Sequence, residues 1–137
     1  MNMNFANKIL YGLIYTWMYL HALLPFRLLY VLSDILYFWV YKVFGYRLKV
    51  VRANLSRCLP DKTEKELRQI EREFYHHFCD YFVETLKLLH VSDAEIQKRM
   101  RFDNIEIAKE LMKDGNSALT FLGHYCNWEW VPSVTLC

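Results

Sequence analysis

Two residues near the end of this 137-residue chain, His124 and Glu129, are of types that together can move a proton. A histidine with an ordinary pKa of about 6.5 suits a general base at neutral pH. A carboxylate hydrogen-bonded to the other ring nitrogen fixes the tautomer and stabilises the imidazolium once the proton is taken. The spacing limits how the two can meet. Five residues along a straight helix leave them about 140° apart around its axis at 3.6 residues per turn. His124 must therefore sit in a turn ahead of the helix that carries Glu129, and Gly123 permits such a turn. Before it, Ser117-Ala118-Leu119-Thr120-Phe121-Leu122 is a short apolar run after a Gly115-Asn116 turn signal, which reads as one buried strand. A strand end leading through a turn to a helix is where α/β folds display catalytic groups. Asn127 falls where its side chain can cap the Glu129 helix.

Other chemistry is less well supported by spacing. Cys126 lies inside the same stretch, but no base is placed to activate it as a nucleophile. The four cysteines show no CxxC and no paired framework, as in a protein whose thiols stay reduced. His76, His77 and Cys79 invite a metal centre with His124 and Cys126. On a helix, however, His76 and Cys79 point about 60° apart on the polar side, without the closed four-ligand spacing of a zinc site, and no metal is expected. His77, Asp80, Glu84 and Lys87 share about 80° of arc on that helix. They read as a solvated stripe with a Glu84–Lys87 pair, or as an ionic latch against the basic segment upstream or against the missing half of the domain. Trp128 and Trp130 suit an acyl groove or, more commonly for such side chains, packing.

The elements that must position these groups are mostly helical. Residues 9–26 contain no Asp, Glu, Lys or Arg, and as a helix would reach about 27 Å, just short of a bilayer's hydrocarbon core. Pro25 marks a break, and residues 28–44 are almost as apolar, with Arg27, Asp34 and Lys42 in one narrow polar line that suits a helix lying in a membrane interface. Gly45 ends it, and the run Lys42, Arg47, Lys49, Arg52 and Arg57 has no intervening acid, which predicts a cytoplasmic side for what comes next. Thr63 with Glu66, Ser92 with Glu95, and Asp103 with Glu106 are three capping boxes, the last helix being closed by Gly115. In the first of these helices Leu67, Ile70, Phe74, Phe78, Tyr81, Phe82 and Leu89 recur at three and four and read as its buried face.

Composition agrees with this division. The chain is 54% hydrophobic, which excludes disorder. Residues 1–58 hold seven Lys/Arg against Asp34, whereas residues 59–137 hold ten against fourteen acids. Positive charge beside the most apolar stretch points to a membrane surface as partner and not to nucleic acid. One strand cannot satisfy its own backbone, so the chain reads as the front of a longer α/β protein.

The block Gly123-His124-Tyr125-Cys126-Asn127-Trp128-Glu129-Trp130 closely resembles the His-x4-Asp/Glu block of the bacterial lipid A biosynthesis (late) acyltransferases. The resemblance extends upstream through Tyr46-Arg47, Val51-Arg52-Ala53-Asn54-Leu55 and Pro60. It continues through Phe74-Tyr75-His76-His77-Phe78-Cys79-Asp80-Tyr81-Phe82-Val83-Glu84-Thr85 and Arg99-Met100-Arg101-Phe102-Asp103-Asn104, so that it covers essentially the whole chain in order. It implies the N-terminal part of a lysophospholipid acyltransferase-like α/β fold. Residues 1–44 would be membrane-anchoring helices, 45–60 a basic juxtamembrane segment, and 61–137 the start of the α/β acyltransferase domain. The resemblance further implies transfer of a fatty acyl group from acyl carrier protein, a thioester co-substrate, to a hydroxyl of a lipid A precursor at the cytoplasmic membrane. His124 would be the base and Glu129 the acid that orients it, with Asn127 and Trp128 as candidate substrate-binding residues and no cofactor or metal. Relatives of this block acylate glycerolipids or aminolipids, so the acceptor is less defined than the reaction. The family's later blocks have no counterpart here, and the chain alone is expected to be inactive. The reading from a different class is a non-catalytic, membrane-anchored truncated product that retains the motif.

Overall fold

A computed structural model describes residues 4–115 and 117–137, and these are predominantly helical. α1 (Phe5–Leu23) starts at Asn4, whose side chain accepts from the Asn7 N–H at 2.9 Å. The break expected at Pro25 is present. Pro25 has no N–H to continue a helix and immediately precedes α2 (Phe26–Tyr37), which widens into a π-helical stretch, Phe38–Val43. Gly45 (φ 57) and Arg47 (φ 50) are both left-handed, and across them the chain bends by 89° into α3 (Leu48–Cys58). Among the described residues no single helix is long and apolar enough to cross a membrane. Phe26–Val43 and Leu48–Cys58 meet that condition only as a bent pair.

α4 (Glu64–Lys87) is the longest helix and carries the rest. Its capping box forms as expected: the Glu66 N–H donates to Thr63 Oγ1, and the Thr63 N–H donates to Glu66 Oε2 at 2.8 Å. The Thr63 backbone N–H, helped by its hydroxyl and Lys62, holds the Glu66 carboxyl down at about 2. α5 (Asp93–Arg99) has half of its box, because Glu95 turns to Arg99 at 2.6 Å and does not reach back to Ser92. The third box does not form. Asp103 pairs with Arg101, and left-handed Asn104 (φ 59) precedes α6 (Ile105–Met112), which Gly115 (φ 77) follows.

The buried face of α4 is not the one that its apolar periodicity indicated. Glu71, Tyr75, Cys79, Val83 and Lys87, spaced every four residues, are buried, while Phe74, Phe82 and Leu89 stay more than 40% exposed. The reason lies in the partner. α2 meets α4 through Leu29 and Ser33, with Ala22 of α1 alongside, and small side chains at Ser33, Ala22 and Cys79 allow close approach. The larger rings are left on the flank, where Phe74 stacks on Phe78 and Phe78 meets Phe82 edge-on. Burial pushes the Cys79 thiol up to about 11, so this cysteine is an inert packing residue and not part of a polar side. Lys87 departs from the solvated stripe too. Its Nζ donates to the Ala22 carbonyl at 2.7 Å and the Leu24 carbonyl at 2.9 Å, satisfying two acceptors at the end of α1, and burial lowers its pKa.

A carboxylate joins the π-helical stretch, α3 and α4. Glu71 is 1% exposed, and it accepts from Arg52 at 2.7 and 3.1 Å and from the Tyr41 hydroxyl at 2.8 Å, with Arg68 at 3.6 Å. Tyr75 beside it donates to the Tyr46 carbonyl. The Arg52 hydrogen bonds, then that of Tyr41, hold the Glu71 carboxyl below the usual range despite its burial.

The strand expected over residues 117–122 is absent. Among the described residues there is no strand, so the α/β element of the sequence reading is not seen, and Asn116 of its turn signal lies outside them. Leu119 and Phe121 are 81% and 87% exposed, because nothing among the described residues offers a ladder to pair with. Two outcomes are expected from this arrangement. Hydrogen exchange should find weak protection over residues 118–122 and strong protection at the centre of α4, and uniform strong protection would contradict it. Glu71→Gln should lose about 1.5–3 kcal/mol in urea unfolding at neutral pH, as for hydrogen bonds to a charge. Since the folded pKa of Glu71 lies below its unfolded value, its contribution is present above about pH 4.3 and fades as pH falls through the folded value. The gap between the two proteins should therefore narrow on acidification, and a constant gap would exclude the charge.

Candidate active site

Residues 123–130 form a turn running into a 3₁₀ helix, Trp128–Leu136, that is laid against α4 and α5. The turn is local. The Tyr125 N–H reaches the Gly123 carbonyl at 2.9 Å, and the left-handed residue is Cys126 (φ 52) and not Gly123. His124 therefore precedes the helix that carries Glu129, which is the order the dyad requires. Its ring is exposed and lies edge-on to Trp128 with centroids 4.7 Å apart, without a hydrogen bond among the described residues. No hydrogen bond or ion pair joins it to Glu129 in this arrangement.

Glu129 is held instead by α4. The Tyr81 hydroxyl donates to its Oε1 at 3.0 Å, and burial together with that carboxylate raises the Tyr81 pKa. Asn127 occupies the position before the 3₁₀ helix, but its side chain does not cap it. The Asn127 amide donates to Glu84 Oε2 at 2.7 Å, and the other Glu84 oxygen accepts from the Tyr30 hydroxyl at 2.8 Å. Glu84 is thus neither half of a Glu84–Lys87 surface pair nor a latch on the basic segment. Sequence reasoning missed Tyr81, Glu84 and Tyr30 as partners of the motif. The signal was available in part, since Tyr81 and Glu84 are one turn apart and both lie in the stretch that resembles the family.

Behind the motif is a cavity of about 400 Å³ walled by Phe26, Tyr30, His77, Glu84, Arg99, Met100, Cys126, Asn127 and Trp130. Trp130 is 6% exposed and packs on Phe26 with centroids 6.0 Å apart, so it serves as packing, while Trp128 is half-buried beside His124. Asn127 Oδ1 and Trp130 Nε1 are buried without a hydrogen-bond partner among the described residues, one an acceptor and the other a donor. Among the described residues no three His, Cys, Asp or Glu side chains gather to hold a metal ion. His76 stacks on Tyr37 with centroids 3.6 Å apart, away from the motif. What the site offers chemically is one accessible imidazole, one carboxylate fixed by a phenol, and a polar-edged apolar cavity.

No curated protein and no solved structure matches the chain. The model of one family, bacterial lipid A biosynthesis acyltransferase, matches residues 4–136. With that match covering nearly the whole length, the chain belongs to the bacterial lipid A biosynthesis acyltransferase family.

Proposed function

We propose that the chain is part of a membrane-associated acyltransferase that moves a fatty acyl group from acyl carrier protein to a hydroxyl of a lipid A precursor or a similar lipid. The observation that carries the reading is the family match together with an accessible His124 in the segment just ahead of the helix that carries Glu129. A lipid hydroxyl is too weak an acid to attack a thioester unaided at neutral pH. In the proposed reaction His124 takes the hydroxyl proton as the oxygen adds to the thioester carbonyl. The tetrahedral intermediate then expels the carrier thiolate, which receives that proton from the imidazolium. Glu129 orients the ring and stabilises its charged form. No covalent acyl-enzyme, metal or cofactor is invoked. The unpartnered Asn127 Oδ1 supports a role in binding a donor group of the acceptor.

The membrane part of the proposal rests on exposed apolar surface. Leu13, Trp17, Val31, Phe38, Trp39 and Phe44 are all close to half exposed or more, and exposed apolar side chains in this number suit a membrane or partner surface. α1, α2 and α4 also share an open apolar cavity of about 540 Å³ that includes Trp17, Ile35, Trp39 and Phe82. Helices lying in the interface of the cytoplasmic leaflet, with the Arg47 to Arg57 cations near its headgroups, would cover this surface. Residues 117–122 would gain their ladder from strands laid beside them.

Acyl transfer from labelled acyl carrier protein to lipid acceptors, with the chain alone and in its full context, tests the catalytic part. His124→Ala should lose about 10²- to 10⁴-fold in kcat, and Glu129→Gln a large but smaller factor. His76→Ala should change little. Near-normal turnover by His124→Ala would end the assignment. For the membrane part, Leu13→Glu with Phe44→Glu should weaken flotation with vesicles of phosphatidylcholine and phosphatidylglycerol, even in high salt. Equal flotation of that variant and the parent would remove the interface from the proposal.

A further inference from the structure

Beyond the packing of Trp130 on Phe26, the motif is tied to the helices by few hydrogen bonds. Among the described residues, three hydrogen bonds link residues 117–137 to the rest of the chain: Tyr81 to Glu129, Asn127 to Glu84, and Gln97 to the Leu136 carbonyl. Two of the three end on polar side chains of the motif, and both come from α4. Tyr81 and Glu84 are three residues apart, so they present their polar ends on one face of adjacent turns. The platform beneath them is firm, since α4 is capped at its start and buried along Tyr75, Cys79 and Val83. Glu84 is itself braced, because the Tyr30 hydroxyl occupies Oε1 and leaves Oε2 for Asn127. Glu129 Oε1 is taken by Tyr81, whereas no hydrogen bond among the described residues uses Oε2.

We propose that Tyr81 and Glu84 are positioning residues that fix Glu129 and Asn127 from α4, leaving His124 as the one mobile member that closes onto the second oxygen of Glu129 when an acceptor is bound. This rests on the reading of His124 as the base. A carboxylate that has two acceptor oxygens can serve a phenol and an imidazole at once, so the Tyr81 bond prepares the dyad and does not compete with it. Asn127 and Glu129 flank Trp128, the ring against which His124 rests, so holding both ends of that short segment also sets where the imidazole stands. Without the two ties, residues 123–127 have no ladder and little packing to keep their register.

The test measures kcat and KM, in the full context of the acyl-transfer assay, for Tyr81→Phe, Glu84→Ala, Glu84→Gln and His124→Ala. Tyr81→Phe and Glu84→Ala should each lower kcat roughly 10- to 100-fold with KM little changed, because a misplaced catalytic group acts on the transition state. Glu84→Gln keeps an acceptor for Asn127 and should recover most of what Glu84→Ala loses. A merely structural role would lower the folded fraction and leave kcat per folded molecule intact. Unchanged kcat per folded molecule in Tyr81→Phe or Glu84→Ala, while His124→Ala loses its turnover, would overturn the proposal and leave the base in place. Normal turnover in His124→Ala would remove both. If Glu84→Ala does not fold, Tyr81→Phe decides alone, since it removes one hydroxyl from a half-buried ring.

Discussion

The buried carboxylate of Glu71 is the constraint on which the arrangement of helices depends. An ionised group with 1% exposure persists only when its lone pairs are used, and here Arg52 and Tyr41 use them. Those partners come from α3 and from the end of the α2 extension, so satisfying one charge fixes the placement of three segments at once. The left-handed Gly45 and Arg47 make the 89° bend that this requires. Arg47 has a Cβ, and a non-glycine residue persists in that region only where its surroundings demand it. The family resemblance runs through Tyr46-Arg47 and Arg52, which are the residues of this corner.

From that anchor, α4 works as a straight-edge. Its start is set by the Thr63–Glu66 box, its middle is pressed against α2, and its end is joined to α1 through Lys87. The next turns around the same helix present Tyr81 and Glu84 to the motif. Fold and site therefore share one element, since Glu71 and the residues that hold Glu129 and Asn127 all lie on the same 24-residue helix.

What the sequence made legible was mostly local. The helix start at Thr63, the break at Pro25 and the turn at Gly45 depend on a few neighbouring residues and all form. The Asp103–Glu106 box failed because left-handed Asn104, not Asp103, takes the position before α6, which puts the pair one residue out of register. The buried face of α4 was misread because periodicity counts hydrophobic volume, whereas the partner helix selected the stripe that allows close approach. A glutamate and a lysine lie in that stripe, and their acceptance depended on Arg52, Tyr41 and the α1 carbonyls, all distant in sequence. Residues 117–122 have the composition of a strand, but a strand is a property of a pair, and no partner is among the described residues. His124 and Glu129 were legible as a candidate pair from type and spacing, and the phenol and carboxylate that hold their segment were not.

In the proposed arrangement α4 and the motif act as one unit around Glu129. A double-mutant cycle on kcat in the full context of the acyl-transfer assay, combining Tyr81→Phe with Glu129→Ala, which leaves the phenol no acceptor, measures that coupling directly. If Tyr81 works through Glu129, the double variant should be scarcely slower than Glu129→Ala alone. If the two losses multiply, Tyr81 acts independently of Glu129 and the account is contradicted.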